Sequence, residues 1–145
     1  MDRDAMNEAT PGAATRGLEG LRVLAVEDHA IGRILLAAML GPLGVEATIV
    51  ADGAEATAAA MSEGFDVALV DLGLPDIAGE VLAEELRALP GTRGAAIVAV
   101  TGRARPTPLP AVFDGWLEKP FSVRDLAAHL LAAAARPSPA EATAA

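Results

Sequence analysis

The sequence contains no cysteine and no tyrosine, and one tryptophan and three phenylalanines are its only aromatic residues. The absence of cysteine excludes disulfide bonds, thiolate catalysis and thiolate metal sites. No run of apolar residues reaches the ~18–20 residues of a membrane span, and no apolar signal segment opens the chain. We therefore expect a cytoplasmic protein that contacts no membrane.

Positive charge is also scarce, since the formal net charge is −9 and Lys119 is the sole lysine. Duplex DNA and anionic membranes repel so acidic a chain, which argues against both as direct partners. Carboxylates that cluster can nevertheless collect a divalent cation. The remainder is aliphatic, with 52% hydrophobic residues, and favours helices packed on a buried sheet.

Composition predicts a single domain over residues 21–135. Residues 1–20 are small and polar and predict a flexible N-terminal segment, and the Pro- and Ala-rich residues 136–145 predict a flexible C-terminal tail. Inside the domain, continuous apolar runs are typical of strands buried on both faces. Strong runs lie at 22–26, 66–70 and 95–100, and weaker ones at 45–50 and 115–119.

Helical spacing of apolar residues separates these runs. One helix contains Ile31 to Met39 and should stop near Gly41-Pro42 or Gly44, and an Ala-rich helix at 53–63 follows Asp52. Leu82 to Leu89 mark a third helix, and a last one begins after Ser122. The alternation predicts an α/β fold, a flavodoxin-like doubly wound sheet of five parallel strands.

Polar side chains follow the strands where ligand sites form in such sheets, beyond the carboxyl ends. These residues are Glu27, Asp28, Asp71, Thr101 and Lys119. Clustered carboxylates repel one another unless a cation offsets them, and Mg²⁺ suits oxygen ligands beside a phosphate. An Asp can attack phosphorus, an ammonium and Mg²⁺ can neutralise the phosphoryl oxygens, and a hydroxyl can donate to one.

The segments VEDHAIGRILLAAML, VDLGLPDIAG, VAVTG and WLEKPF, in this order and near these spacings, resemble the receiver domains of bacterial response regulators, the CheY-like family. The resemblance covers roughly residues 21–135. It implies two-component or phosphorelay signalling, with Asp71 taking a phosphoryl group from the phosphohistidine of a histidine kinase or histidine phosphotransfer protein. The chain would then promote its own aspartyl phosphorylation and dephosphorylation, without being a conventional enzyme, and would signal to a downstream protein partner.

The resemblance also implies roles for individual residues. Glu27 and Asp28 would organise Mg²⁺, Asp28 more directly, together with Asp71 and the backbone carbonyl of Gly73. Lys119 would bind the phosphoryl group. Thr101 would be the switch hydroxyl, and Trp116 would take the place of the switch aromatic.

Three features depart from the family pattern. Ala78 stands where an acidic residue is usual before Gly79, and Trp116 is larger than the usual Tyr or Phe. The family places its fourth helix between Thr101 and Trp116, but Pro106, Pro108 and Pro110 disfavour a helix here. We predict that this helix is shortened or missing, which puts output through that face in doubt.

Structural explanations remain open for each residue. Asp71 or Lys119-Pro120 could simply form turns, Glu27 or Asp28 could cap the following helix, Thr101 could be a strand-end residue and Trp116 a core aromatic. His29 is expected to be solvated at a helix start, and His129 shows no evident partner.

Two other functions also remain open. A receiver-like binding module could act without phosphorylation. An Asp-nucleophile phosphatase of the haloacid-dehalogenase type would carry a second acid where this chain has Gly73. No output domain is evident after the predicted domain, so the chain is expected to be a stand-alone receiver or a receiver excised from a hybrid kinase.

Overall fold

A computed structural model describes residues 17–136, which contain a parallel sheet covered by helices on both faces. The strands lie in the order β2-β1-β3-β4-β5. In chain order the elements are β1 (Arg22–Val26), α1 (Ala30–Leu40), β2 (Glu46–Val50), α2 (Gly53–Ser62), β3 (Val67–Asp71), α3 (Gly79–Ala88), β4 (Ala96–Thr101), β5 (Gly115–Glu118) and α4 (Val123–Ala134), with a 3₁₀ turn at Gly41–Leu43. The predicted flavodoxin-like sheet of five parallel strands is confirmed.

The ends of the strands set the position of the polar residues. Asp71 is the last residue of β3 and Thr101 the last of β4, so each of these strands ends one residue later than the sequence predicts. Lys119 directly follows β5 and Glu27 directly follows β1. Since all strands run parallel, these four residues share the carboxyl edge of the sheet.

Alternate residues of each strand point to opposite faces of the sheet, which divides the core in two. Leu69 packs on one face with Leu40 of α1 and Leu126 of α4. Val70 packs on the other face with Ala56 of α2 and Leu82 of α3. The helices thus cover both faces, as near-continuous apolar strands require.

No helix forms between β4 and β5, which confirms the prediction made from the three prolines. Residues 102–114, the linking segment, are anchored at their C-terminal end instead. The Arg87 guanidinium donates to the carbonyl of Val112 at 3.0 and 2.7 Å and to Asp114 at 2.8 Å. Phe113 is buried and meets Trp116 edge to face, with ring centroids 5.9 Å apart, so that aromatic packing fills space beside α3.

Local capping explains where the helices begin. The Asp52 side chain accepts a hydrogen bond from the backbone N–H of Glu55, and Ser122 forms a reciprocal capping box with Asp125. Gly44, with φ of 81°, ends the turn that follows α1 in a left-handed conformation suited to glycine. Both N-caps and the stop near Gly44 agree with the sequence prediction.

The predicted limits of the domain stay predictions, because residues 1–16 and 137–145 lie outside the described residues. Leu18, within the segment predicted to be flexible, is fully buried in the face of the core that contains α1 and α4. The backbone N–H of Gly20 also donates to the carbonyl of Gly44 at 3.0 Å. Among the described helices, none combines the length and apolar character needed to cross a membrane.

Candidate functional site

The structure brings Lys119 and two acidic side chains together at the carboxyl edge of the sheet. The Lys119 ammonium lies 3.2 Å from Asp71 Oδ2 and 3.3 Å from Glu27 Oε1. Asp71 and Glu27 are buried, with 6% and 7% of their surfaces exposed. Each comes from a different strand end, so the sheet itself fixes their separation.

The charges of this cluster shift the pKa of Lys119 above its ordinary value. Burial opposes the charged ammonium, but the hydrogen bonds and electrostatic attraction of Asp71 and Glu27 together outweigh that effect. Lys119 is therefore a fixed cation at neutral pH. Its ammonium can serve as a point charge for a phosphate.

Asp28 is the incomplete member of the cluster. Its Oδ1 atom is buried without a hydrogen-bond partner among the described residues. His29 Nδ1 lies 3.3 Å from this oxygen and 3.3 Å from Glu27 Oε2, but only the contact with Glu27 has the geometry of a hydrogen bond. Asp28 does not cap α1, because the N-cap position is His29, which makes no side-chain cap bond.

Two residues that sequence reasoning missed shape the acidic pair. The guanidinium of Arg33 donates to the backbone carbonyls of Glu27 and Asp28, each at 3.0 Å, and so fixes the loop between β1 and α1. A Cβ at Gly32 would lie 2.8 Å from the Glu27 carboxyl carbon, so glycine leaves the room that this carboxylate occupies. Their place in the first turn of α1, just after the two acids, was the available signal.

The loop after Asp71 is tied to the neighbouring helix α2. The backbone N–H of Gly73 donates to Asp71 Oδ1 at 2.9 Å. Further along, the Asp76 carboxylate accepts hydrogen bonds from the N–H groups of Gly53 and Ala54, at 3.0 and 3.1 Å, and these bonds lower the pKa of Asp76. Sequence reasoning also missed Asp76, which holds in place the loop that contains Gly73.

Thr101 and Trp116 are linked through one residue of the linking segment. The Thr101 hydroxyl accepts a hydrogen bond from the backbone N–H of Arg103 at 3.1 Å, and the indole N–H of Trp116 donates to the carbonyl of Arg103 at 2.8 Å. The Arg103 guanidinium pairs with Glu80 at 3.1 Å and lies 6.0 Å from the Trp116 ring centroid. The backbone of Arg103 thus contacts both side chains, while its own side chain stays 60% exposed beside Glu80.

His129 also has partners, contrary to the sequence interpretation. Its Nδ1 lies 3.0 Å from the carbonyl of Asp125 and its Nε2 lies 3.2 Å from the carbonyl of Trp116. These contacts join α4 to β5. His129 therefore has a structural role and is not a member of the acidic cluster.

The cluster has the chemistry of a site for a hard divalent cation. Glu27, Asp28, His29 and Asp71 each offer one ligand atom, and these atoms lie within 4.8 Å of one another. The site holds three carboxylates and one ammonium, which contacts two of them, and among residues 17–136 one oxygen of Asp28 has no hydrogen-bond partner. An oxygen-rich site with excess negative charge fits Mg²⁺.

Most of the chain is similar to proteins of one known family. Residues 23–131 match the family model described as the response regulator receiver domain. The chain is 36% identical over 131 residues to the transcriptional regulatory protein TcrA of Mycobacterium tuberculosis, covering 87% of this chain and 51% of that protein. It is 33% identical over 117 residues to the sensor protein GacS of Pseudomonas syringae, covering 76% of this chain and 13% of that protein. The chain thus spans about half, or much less, of the length of these curated relatives.

Solved structures agree in fold over most of the described residues. The receiver domain of the sensor histidine kinase PA1611 from Pseudomonas aeruginosa, solved with a magnesium ion coordinated in its active-site cleft, superposes with a TM-score of 0.73 at 30% identity. That match covers 81% of this chain and 99% of the other. The chemotaxis protein CheY4 of Vibrio cholerae also gives a TM-score of 0.73 at 30% identity, over 79% and 98% of the two chains.

Proposed function

The chain belongs to the family of response regulator receiver domains, and we propose that its Asp71 accepts a phosphoryl group from the phosphohistidine of a histidine kinase or histidine phosphotransfer protein. One observation carries the proposal above the others. The ammonium of Lys119 contacts the carboxylates of both Asp71 and Glu27, so a nucleophile, a phosphate-binding cation and a metal-binding acid share one point of the sheet edge.

The transfer exchanges one bond for another at phosphorus. A carboxylate oxygen of Asp71 attacks and forms an O–P bond, while the P–N bond to the donor histidine breaks and its electron pair stays on the imidazole nitrogen. The Lys119 ammonium contacts the oxygens of the transferred phosphoryl group and offsets their charge. Because Asp71 is buried between β1 and β4, the approach is open only from the sheet edge.

The same proposal assigns the residues that would hold Mg²⁺. Asp28, Asp71 and the carbonyl of Gly73 would bind the ion, with Glu27 supporting the site. When bound, Mg²⁺ neutralises charge on the transferred phosphoryl group. The hydrogen bonds that tie the Gly73 loop to Asp71 and, through Asp76, to α2 support this assignment, because they hold that loop at the site.

The response would start at Thr101. A phosphoryl group on Asp71 offers new acceptors to the Thr101 hydroxyl, which now accepts a hydrogen bond from Arg103. A shift of Thr101 would disturb Arg103, whose carbonyl receives the Trp116 indole N–H. The phosphoryl group can bias the linking segment only by such differential contacts, and a full swing from 1:99 to 99:1 requires about 5.5 kcal/mol.

The surface of α1 beside the site suits a protein donor. Ile31, Ile34 and Leu35 are exposed by 70%, 66% and 59%. A groove of about 450 Å³, lined by residues that include Leu35, Glu27 and Lys119, runs from this apolar surface to the acidic cluster. Contiguous exposed apolar residues favour protein contact, so we propose that the donor protein covers α1 while it presents its phosphohistidine to Asp71. We place this encounter in the cytoplasm, where such donors would act.

Phosphorylation of the full chain tests the function. The protein, with Mg²⁺, is incubated with phosphoramidate, a small donor that carries a P–N bond, and is then analysed by intact mass spectrometry. We expect one added phosphoryl group on the unmodified sequence and none on Asp71→Asn. Asp66→Asn, which alters the other end of the same strand, is the matched control and should still accept the group.

A structural readout completes the test. Mg²⁺ with beryllofluoride, a phosphoryl mimic, should change the amide spectrum around Asp71 and the fluorescence of Trp116, but not in Asp71→Asn. Absence of phosphorylation and of this spectral response, in a folded protein, would favour the binding module that acts without phosphorylation. Sustained turnover of phosphomonoesters would favour the phosphatase.

A further inference from the structure

His29 has the position of a metal ligand although its residue type is unusual for a magnesium site. It precedes α1 at the N-cap position but makes no side-chain cap bond. Its backbone N–H donates to Glu27 Oε2 at 3.1 Å, and its ring nitrogen Nδ1 lies 3.3 Å from both Glu27 Oε2 and Asp28 Oδ1. The side chain is 77% exposed, and its Nδ1 atom faces the two acids at the mouth of the site.

The two histidines of the chain differ in what their rings contact. Both ring nitrogens of His129 face backbone carbonyls, of Asp125 and Trp116, so its contacts have a structural explanation. In the part of the chain that the structure describes, the Nδ1 atom of His29 faces only carboxylates, and one of their oxygens, Asp28 Oδ1, has no hydrogen-bond partner. A cation placed between His29 Nδ1, Glu27 Oε2 and Asp28 Oδ1 would give each of these atoms a partner.

The combined donor set decides which cation fits best. One nitrogen of His29 joins oxygens of Glu27, Asp28 and Asp71, all within 4.8 Å. Mg²⁺ takes oxygen ligands and gains little from an imidazole, whereas Zn²⁺ binds imidazole nitrogen and carboxylate oxygen equally readily in sites of four ligands. Imidazole ligands suit Zn²⁺, Cu²⁺, Fe²⁺ and Ni²⁺, whereas sites of carboxylate, carbonyl and water suit Mg²⁺ and Mn²⁺.

We propose that His29 is a fourth ligand which lets a borderline transition-metal dication, Zn²⁺ above all, occupy this site in competition with Mg²⁺. In that state Nδ1 gives its lone pair to the metal and the ring proton resides on Nε2. The proposal rests on the cation site of the proposed function. It adds to that site a ligand that discriminates between ions.

Calorimetric titration of the full chain with Mg²⁺ and with Zn²⁺ tests the proposal. His29→Ala should weaken Zn²⁺ binding by at least about tenfold, since even loss of a residue that only supports a metal ligand typically costs 10–100-fold in affinity. The same substitution should leave Mg²⁺ binding little changed. His129→Ala is the matched control and should change neither affinity.

A second readout follows the histidine itself. In the ¹⁵N spectrum of the imidazole rings, Zn²⁺ should shift Nδ1 of His29 and leave His129 unmoved, while Mg²⁺ should shift neither. Equal Zn²⁺ affinity in the parent and in His29→Ala, or an unshifted His29 ring, would overturn the proposal. Asp28→Asn distinguishes failure of the cation site from failure of the His29 proposal. If this variant still binds Mg²⁺, the underlying cation site is refuted. If it loses Mg²⁺ binding while His29→Ala weakens Zn²⁺ binding in the parent, the cation site and the His29 ligand are both supported.

Discussion

The acidic cluster and the linking segment begin at the same edge of the sheet, but different forces hold them. In the cluster, two of three carboxylates share one ammonium, and within residues 17–136 an oxygen of Asp28 has no hydrogen-bond partner. In the segment, residues 102–114 are fixed by the buried Trp116 and by hydrogen bonds from Arg87. One region is electrostatically incomplete, whereas the other is held at its two ends by hydrogen bonds and by the buried Phe113, although most of its residues are exposed.

This difference separates binding from response in the molecule. We expect the cluster to gain stability when a cation arrives, because the cation neutralises its carboxylates. The segment gains nothing directly from the cation and must be displaced against the hydrogen bonds that hold its ends. A signal that reaches the segment through Arg103 therefore has to overcome the contacts of Trp116.

The largest expected effect concerns the packing of the segment. Trp116→Ala should lower the free energy of unfolding by about 3–5 kcal/mol, because it deletes a buried aromatic ring and its edge-to-face contact with Phe113. Urea denaturation followed by circular dichroism measures it. Asp71→Asn is the comparison, and its loss should be far smaller. A loss below about 1 kcal/mol for Trp116→Ala would show that packing does not hold the segment.

A smaller effect, of opposite sign, is expected in the cluster. In the presence of a chelator, Asp28→Asn should raise the free energy of unfolding by about 1 kcal/mol, since it relieves an unpaired carboxylate among like charges. Added Mg²⁺ should reverse the order, because the parent protein gains stability from ligand binding and the variant gains less. Denaturation curves with and without Mg²⁺ measure both.

Asp114→Asn is the matched control for that inversion. The Asp114 carboxylate accepts hydrogen bonds from Arg87 and from the backbone N–H of Ile97, each at 2.8 Å, so its neutralisation should destabilise the protein with or without Mg²⁺. Destabilisation by Asp28→Asn under chelation would contradict the description of the cluster as incomplete.

The smallest effect is the dependence of stability on pH. The pKa of Asp76 is lowered in the folded state, so its contribution is present above the unfolded pKa near 3.8 and is lost as pH falls through the folded value. The pKa of Lys119 is raised, so its contribution is present below about 10.5 and is lost as pH rises through the folded value. Denaturation at a series of pH values measures both limits.

Two substitutions identify the groups responsible. Asp76→Asn should flatten part of the acid limb, and Lys119→Met should flatten the alkaline limb. Trp116→Ala should shift the whole profile down and leave both limbs in place, because the packing of the segment does not titrate. Unchanged limbs in the first two variants would assign the pH dependence to other groups.

The strands could be located from the sequence, because strands buried on both faces consist of consecutive apolar residues. Each strand end was found within one residue, and parallel strands then bring Asp71 and Lys119 to one edge. The missing helix was also predicted, since proline removes a backbone donor and restricts the residue before it. These features depend on local composition and on the regular geometry of the sheet.

Contacts that depend on side-chain direction were not predicted. Nothing in the spacing of Asp76 shows that it reaches the N-terminus of α2, because the two segments meet only in the fold. The orientation of His29 toward the acids is likewise set by the turn before α1, and a histidine at a helix start is as easily solvated. The roles of all seven predicted site residues remain predictions, and the experiments above test those of Asp71 and Asp28 directly.

The absence of a side chain at Gly32 sets the stability of α1 against the activity of the neighbouring acidic cluster. Alanine is the better helix former there by about 1 kcal/mol, so a search for more stable variants would select Gly32→Ala. The added methyl group would lie 2.8 Å from the Glu27 carboxyl carbon, so this carboxylate would have to leave the contacts that it makes with Lys119 and His29. A more robust fold would then be obtained by expelling an acid from the reaction centre, and a screen that scored only heat resistance would favour the impaired protein.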